Sequence, residues 1–258
     1  MDALQGKVAL VTGIANKRSI AYAIAEDFAA NGAQLVVAYQ QTDRDGGAEK
    51  IQRLTEELKP GLLLPVDVGN AASIAAMYQA VKEKFGKLHV LVHSIASAKR
   101  EELGAVRPSD ISAEGYLFAM NISAYSLISL AREARPLMTE GGSILAMTYI
   151  GSERAAKNYN VMGAAKAALE ANVRYLASEF GPESIRVNAI SAGPIRTLSA
   201  SGIKDFLNLL HQAADLSALK RNVTLEEVAA TATFLASARS SGITGQVIFV
   251  DGGYNIFG

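Results

Sequence analysis

Short β-rich runs alternate with longer helical patterns along the whole chain, and this alternation constrains the fold more than any other feature. The strand runs are Val8–Gly13, Gln34–Gln40, Leu62–Val68, His89–Ala96, Ser143–Ile150, Ile185–Ala192 and Gln246–Val250. Several are almost continuously apolar, as parallel strands covered on both faces must be. Helical periodicity fills the gaps at Ile20–Ala30, Ala48–Leu58, Ala71–Phe85, Glu114–Leu137, Tyr159–Phe180 and Leu225–Ala238. Gly32, Gly61, Gly86 and Gly181 fall near helix ends, where a left-handed cap favours glycine. Strand–helix alternation of this kind predicts an α/β fold, a single doubly wound parallel sheet, Rossmann-like, with helices on both faces. Neither a Pro/Ser-rich linker nor a repeat divides it, so residues 1–258 read as one domain.

In such sheets ligands bind beyond the carboxyl ends of the strands, so those ends are where chemistry is sought. Other chemistries drop out on composition. The chain has no cysteine, which excludes disulfides, zinc–thiolate sites and thiol nucleophiles, and its three histidines have no ligand-like spacing. Twenty-five basic residues balance twenty-five acidic ones, which gives no electrostatic reason to expect nucleic acid or an anionic membrane as a partner. The start, Met1 to Lys7, lacks the basic flank and apolar run of a secretory signal. No apolar stretch reaches the roughly 18 residues that span a bilayer. These features predict a soluble, cytoplasmic protein without membrane attachment.

The first strand ends at Gly13 and runs through Ile14-Ala15-Asn16-Lys17-Arg18-Ser19 into a helix at Ile20. A helix N-terminus after a strand offers free N–H groups and a positive dipole end to a pyrophosphate. Gly13 allows a tight turn, and Ala15 and Ser19 are small enough for phosphates to approach; an ordinary βα turn with Ser19 as helix cap is the competing reading. The second strand ends at Gln40, a neutral side chain able to bond a ribose hydroxyl without repelling a 2′-phosphate, which favours NADH and leaves NADPH open. Asp67, ending the third strand, is placed either to accept from an adenine amino group or to cap the next turn. At the end of the fourth strand, Ser94 and the backbone of Ile95 and Ala96 are candidate cofactor contacts, whereas His93 reads as a packed strand residue.

The fifth strand ends Met147-Thr148-Tyr149, and Asn158-Tyr159-Asn160-Val161-Met162-Gly163-Ala164-Ala165-Lys166 follows. Tyr159 and Lys166 are seven residues apart, nearly two helical turns, so both face the same way. The ammonium suits ribose hydroxyls and favours negative charge nearby, and the phenol suits an enolate oxygen. An amphipathic helix carrying one solvated lysine is the alternative.

These residues resemble the short-chain dehydrogenase/reductase superfamily over nearly the whole chain, with an informative departure. Counting back from Lys166, the superfamily's usual Tyr-x-x-x-Lys tyrosine position holds Met162 and its usual serine position holds Tyr149. The set Tyr149, Tyr159 and Lys166 is similar to the divergent branch, the enoyl-acyl-carrier-protein reductases of the NADH type. So are the runs Gly13–Ala21, Asn158–Gly163 and Arg186–Thr197. The resemblance implies a catalytic set of Tyr159, Lys166 and Tyr149. It implies a cofactor site of Gly13, Ala15, Ser19, Ile20, Gln40, Asp67, Val68, Ser94, Ile95, Lys166, Ile195 and Thr197, and an acyl site of Ala96, Ala98, Tyr149, Tyr159, Ile203 and Phe206. Ala96 stands where the family more usually has glycine, and its methyl narrows the mouth beside the nicotinamide. An acyl-carrier protein bearing an enoyl chain and a homotetramer are also implied.

Ile203, Phe206, Leu207 and Leu210 follow helical spacing after Thr197, which reads as a lid at about 197–212 or as a helix covering the core. Lys204 is the lone positive charge in that lid, with Asp205 beside it, so the sequence offers little of a carrier-docking patch. Small residues at Gly163, Ala164, Ala167, Ala168, Ala171 and Val173, and the apolar tail Tyr254–Phe257, suit subunit contact or ordinary packing. Two other functions fit less of the pattern: a ketone or alcohol oxidoreductase of the same superfamily, and a non-catalytic dinucleotide-binding sensor.

Overall fold

A computed structural model describes residues 3–40, 47–104, 106–197 and 206–257. Seven strands form one sheet: β1 (Val8–Thr12), β2 (Gln34–Tyr39), β3 (Leu62–Pro65), β4 (Val90–His93), β5 (Gly142–Thr148), β6 (Ile185–Ala192) and β7 (Val247–Val250). Their order is β3-β2-β1-β4-β5-β6-β7, and every pairing is parallel. Successive side chains of a strand point to opposite faces. Leu10 therefore joins one core with Val36 and Ile144, while its neighbours Ala9 and Val11 join a second core with Val37 and Leu145. Both faces are covered, which is why these strands read as unbroken apolar runs.

The helices are α1 (Ile20–Ala30), α2 (Gly47–Thr55), α3 (Ala71–Phe85), α4 (Ala113–Met120), α5 (Ser126–Ala134), α6 (Asn160–Phe180), α7 (Phe206–Leu216) and α8 (Leu225–Ala236). The first core takes Ile74 and Val81 of α3, Leu127 and Leu130 of α5, and Leu169 and Val173 of α6. The second takes Ile24 and Phe28 of α1 with Val228 and Leu235 of α8. None of the described helices is long and apolar enough to cross a membrane.

Two sequence expectations are corrected. Gly32 and Gly86 are left-handed at φ +86° and +70°, but at the other two helix ends the left-handed residues are Lys59 and Ser184, not Gly61 and Gly181. The helix expected over Glu114–Leu137 is not continuous. A π-helical segment, Asn121–Tyr125, separates α4 from α5, and a 3-10 turn, Arg135–Leu137, closes it. That segment and the first residue of α5 each turn a hydroxyl toward β4 and the turn after it. Ser123 Oγ accepts from Ser97 N at 2.9 Å and donates to Ser97 O at 3.0 Å. Ser126 Oγ donates to Ile122 O, so its 2.7 Å contact with His93 Nε2 is a bond donated by the ring. His93 is fully buried and neutral, its pKa pushed to about 3 by burial and by the charge of Lys166.

After β3 the chain crosses to the other side of β1, so β1 and β4 are neighbours at the switch point where a crevice opens. Thr12 joins their ends: its Oγ1 donates to Val92 O at 2.9 Å and accepts from Ser94 N at 3.3 Å. Gly13 follows at φ +90°, and a Cβ there would lie 2.0 Å from the Ser94 carbonyl oxygen. Only glycine lets the chain leave β1 this close to β4.

Candidate active site

Two cavities open along the carboxyl edge of the sheet and share Ala96 and Ser97. The larger, about 590 Å³, lies over β1, β2 and β3. It is walled by Thr12 to Ala15, Ala38, Gln40, Val66 to Val68 and Ser94 to Ser97, and by Phe118 and Ile122 from α4 and the π segment. Among the expected cofactor residues it gathers Gly13, Ala15, Gln40, Asp67, Val68, Ser94 and Ile95. Asp67 lines the cavity, and its Oδ1 accepts from Gly69 N at 2.9 Å, the turn bond of the second reading. Lys50 on α2 also lines it.

The second cavity, about 350 Å³, lies over β4, β5 and β6. It gathers Ile20, Ile195 and Thr197 with Ala96, Ala98, Tyr149, Tyr159 and Phe206. Leu103, Met162 and Leu209 add to a mainly apolar wall. Ile203 lies outside the described residues, as do Lys204, Asp205 and Arg44. Phe206 opens α7, so α7 is the described part of the expected lid. Ser19 lines neither cavity: its hydroxyl donates to Asn16 O at 2.6 Å and makes no helix cap bond.

The two tyrosines meet at the mouth of α6. Their ring centroids are 4.9 Å apart at 71°, an edge-to-face pair. The space between them exists because residue 151 is glycine: a Cβ there would lie 2.6 Å from Tyr159 and 3.0 Å from Tyr149. Gly163 completes the fit, since a Cβ on it would lie 2.7 Å from Gly151 O. Asn158 precedes Tyr159 at φ +64°, a left-handed turn that asparagine tolerates better than most residues, and Tyr159 then starts the helix. Asn160 Nδ2 donates to the carbonyls of Glu102 and Val106, tying the pocket wall around Leu103 to the same helix start.

Burial raises the pKa of the Tyr149 phenol to about 12, and it holds Tyr159 well above the usual tyrosine value, helped by Tyr149 and the charge of Glu170. Both stay protonated at physiological pH, which makes them hydrogen-bond donors. Lys166 lines neither cavity but lies 5% exposed, with Nζ donating to Met147 O at 2.7 Å. Burial draws its pKa down to about 8 against the pull of Glu170. The solvated-lysine alternative is therefore excluded. Sequence reasoning missed Phe118, Ile122, Leu103 and Leu209, which arrive from distant elements with no local signal. It also missed Thr148 and Glu170, whose burial no sequence pattern reveals.

The arrangement suits a dinucleotide. The larger cavity is a cradle whose closest approach requires Gly13, and the smaller one is lined by paired phenols, with a buried cation on the helix that Tyr159 opens.

Comparison with known proteins agrees. A family model described as enoyl-(acyl carrier protein) reductase matches residues 13–255. The chain is 51% identical to the NADH-type enoyl-[acyl-carrier-protein] reductase FabI of Synechocystis, over 99% of this chain and 98% of that protein. The Bacillus cereus enoyl-acyl carrier protein reductase, solved with NADP+ and an indole naphthyridinone, superposes with a TM-score of 0.96 at 47% identity over the full length of both chains. The Anaplasma phagocytophilum reductase, solved with NAD, gives 0.94 at 42% identity, covering 99% of this chain and 96% of that one.

Proposed function

Because the chain belongs to the enoyl-(acyl carrier protein) reductase family, we propose that its site reduces the carbon–carbon double bond of a trans-2-enoyl-acyl-carrier-protein thioester with NADH, in fatty acid elongation. The observation that carries this reading is the Tyr149–Tyr159 pair lining an apolar pocket beside the buried Lys166.

The larger cavity holds the adenosine half of the cofactor, with Gly13 and Ala15 at the pyrophosphate and Ser19 and Ile20 at the helix start beyond the cavity wall, Gln40 at the ribose, Asp67 and Val68 at the adenine, and Ser94 and Ile95 at the middle. Ile195 and Thr197 take the nicotinamide carboxamide, and Lys166 holds the nicotinamide ribose. Bound there, the cofactor supplies the hydride that adds to the β-carbon of the substrate. The π electrons then shift to form an enolate, with the negative charge on the thioester oxygen, and a proton from solvent at the α-carbon restores the carbonyl and completes the reduction. Tyr159, protonated and half-buried beside Tyr149, donates a hydrogen bond to that oxygen. One such donor aimed at developing charge contributes roughly 3–4 kcal/mol. Tyr149 orients the acyl group, and Ala96, Ala98 and Phe206 line its path. NADPH is the second cofactor to test, since Gln40 carries no charge to repel a 2′-phosphate.

We read residues 1–258 as one domain with a lid at about 197–212, closing over the acyl chain; Phe206 and Leu209 of α7 support this by lining the pocket. A homotetramer in the cytoplasm completes the reading. Support for assembly comes from Tyr116, Leu117, Tyr125 and Tyr175, all exposed, with Tyr175 at 79%, and from Ile256 and Phe257 of the tail. Val173 is withdrawn from that face, being fully buried in the core.

The test is to follow NADH and NADPH absorbance with crotonyl-CoA, a crotonyl carrier-protein substrate and acetoacetyl-CoA. Oxidation dependent on the enoyl substrates is expected. Oxidation with the ketone alone, or cofactor binding without turnover, would overturn the reading.

A further inference from the structure

The face of α6 that meets the sheet is apolar at Val161, Ala165, Leu169 and Val173, and two charged residues interrupt it. Lys166 and Glu170 are each 5% exposed and lie one helical turn apart on the same side. Lys166 has a role in the reading above; Glu170 has none so far. A carboxylate inside a core is costly unless something there uses its charge and its lone pairs.

Both side chains hold the end of β5. Lys166 Nζ donates to Met147 O at 2.7 Å, and Thr148 Oγ1, on the next residue, donates to Glu170 Oε1 at 2.5 Å. Tyr149 follows directly. The groups around Lys166 on its other sides are neutral. His93, from β4, is uncharged, and the phenols of Tyr149 and Tyr159 are both held protonated. Among the described residues, Glu170 is the one carboxylate whose charge acts on Lys166.

We propose that Glu170 is a positioning residue for the reduction: anchored by Thr148, its carboxylate is the buried counter-charge that keeps the Lys166 ammonium protonated for the cofactor's ribose. The inference rests on the assignment of Lys166 to that ribose and extends it. Burial alone would strip the proton from Lys166 at lower pH, and the carboxylate opposes this. The anchor matters because a carboxylate free to swing toward the pocket would oppose the negative charge that develops beside Tyr159.

The experiment is NADH binding by fluorescence titration from about pH 6 to about pH 9.5 for the wild type, Glu170→Gln and Lys166→Ala. Glutamine keeps the volume and the acceptor for Thr148 and removes only the charge. Wild-type affinity is expected to fall as pH rises through about 8, where Lys166 loses its proton. In Glu170→Gln the fall begins at least about one pH unit lower, so binding is about fivefold weaker than wild type near pH 8 and equal to it near pH 6. Superimposable profiles would overturn the proposal. So would a loss equal at every pH, the mark of a purely structural role. The assignment of Lys166 fails separately, if Lys166→Ala binds NADH like the wild type near pH 7. Should Glu170→Gln not fold, Thr148→Val carries the same test: it cuts the anchor and moves the fall the same way, and an unmoved profile there rejects the proposal.

Discussion

The two halves of the cleft are built by different means. The larger cavity takes most of its wall from consecutive strand ends, and its tightest point is backbone against backbone, Gly13 over Ser94. The smaller takes its wall from side chains brought together by turns and helices, from Leu103 to Leu209. A parallel sheet delivers all its strand ends to one edge, so the first half comes with the fold. The second half depends on local devices: a glycine between two rings, an asparagine in a left-handed turn, and a lysine inside the core.

Breaking the first half should cost most. Gly13→Ala meets both the Ser94 carbonyl and an unfavourable φ, and should lower stability by on the order of 3–5 kcal/mol and abolish NADH binding. Thermal denaturation and fluorescence titration would show it; a stable variant that still binds NADH would mean β1 and β4 can part without harm. Tyr159→Phe breaks the second half alone. It should lower kcat by about two to three orders of magnitude while NADH affinity stays within about twofold. A parallel fall in affinity would mean the halves are not separable at that residue.

Lys166→Met sharpens the comparison by separating stability from binding. The folded pKa of Lys166, about 8, lies below the ordinary value of 10.5, so folding disfavours its charged form. That penalty is fully present below about pH 8 and disappears as pH rises toward 10.5. Without cofactor, the methionine variant combined with Glu170→Gln, so that no buried carboxylate is left without its counter-charge, should therefore be more stable by up to about 3 kcal/mol near pH 7, with the gain lost near pH 10. Denaturant melts at the two pH values test this, and a gain that does not change with pH would refute it. Phe206→Ala, the mildest, should raise KM about tenfold for long enoyl chains, roughly 1.4 kcal/mol, and leave crotonyl substrates almost unchanged. Equal effects on both would remove Phe206 from the acyl path.

The same contrast explains what was legible in the sequence. Strand ends follow from periodicity, so Gln40, Asp67 and Ser94 are found once the strands are found. Tyr149, Tyr159 and Lys166 are legible through spacing and through the vacated positions at Met162 and Tyr149. Phe118 and Ile122 are not, because nothing in a helical pattern tells which face a π segment will turn toward a cleft. Nor is Glu170, which periodicity reads as one more polar position until burial is known. The two misplaced caps have a common cause: a glycine near a helix end marks a turn, yet a lysine or serine two or three residues away takes the left-handed step itself.

The π segment has a consequence in the arithmetic of chain length. Its i to i+5 bonding makes Asn121–Tyr125 an α-helix carrying one residue more than its turn needs. Each residue turns a helix by about 100°, so the surplus offsets the face of α5 from that of α4 by that amount. Phe118 can then face the cleft while Leu127, Leu130 and Ala134 face the sheet. One stretch of chain serves ligand and core at once because its count is off by one. A relative lacking that single residue would keep the hydrophobic pattern on each side of the gap and lose the alignment between them.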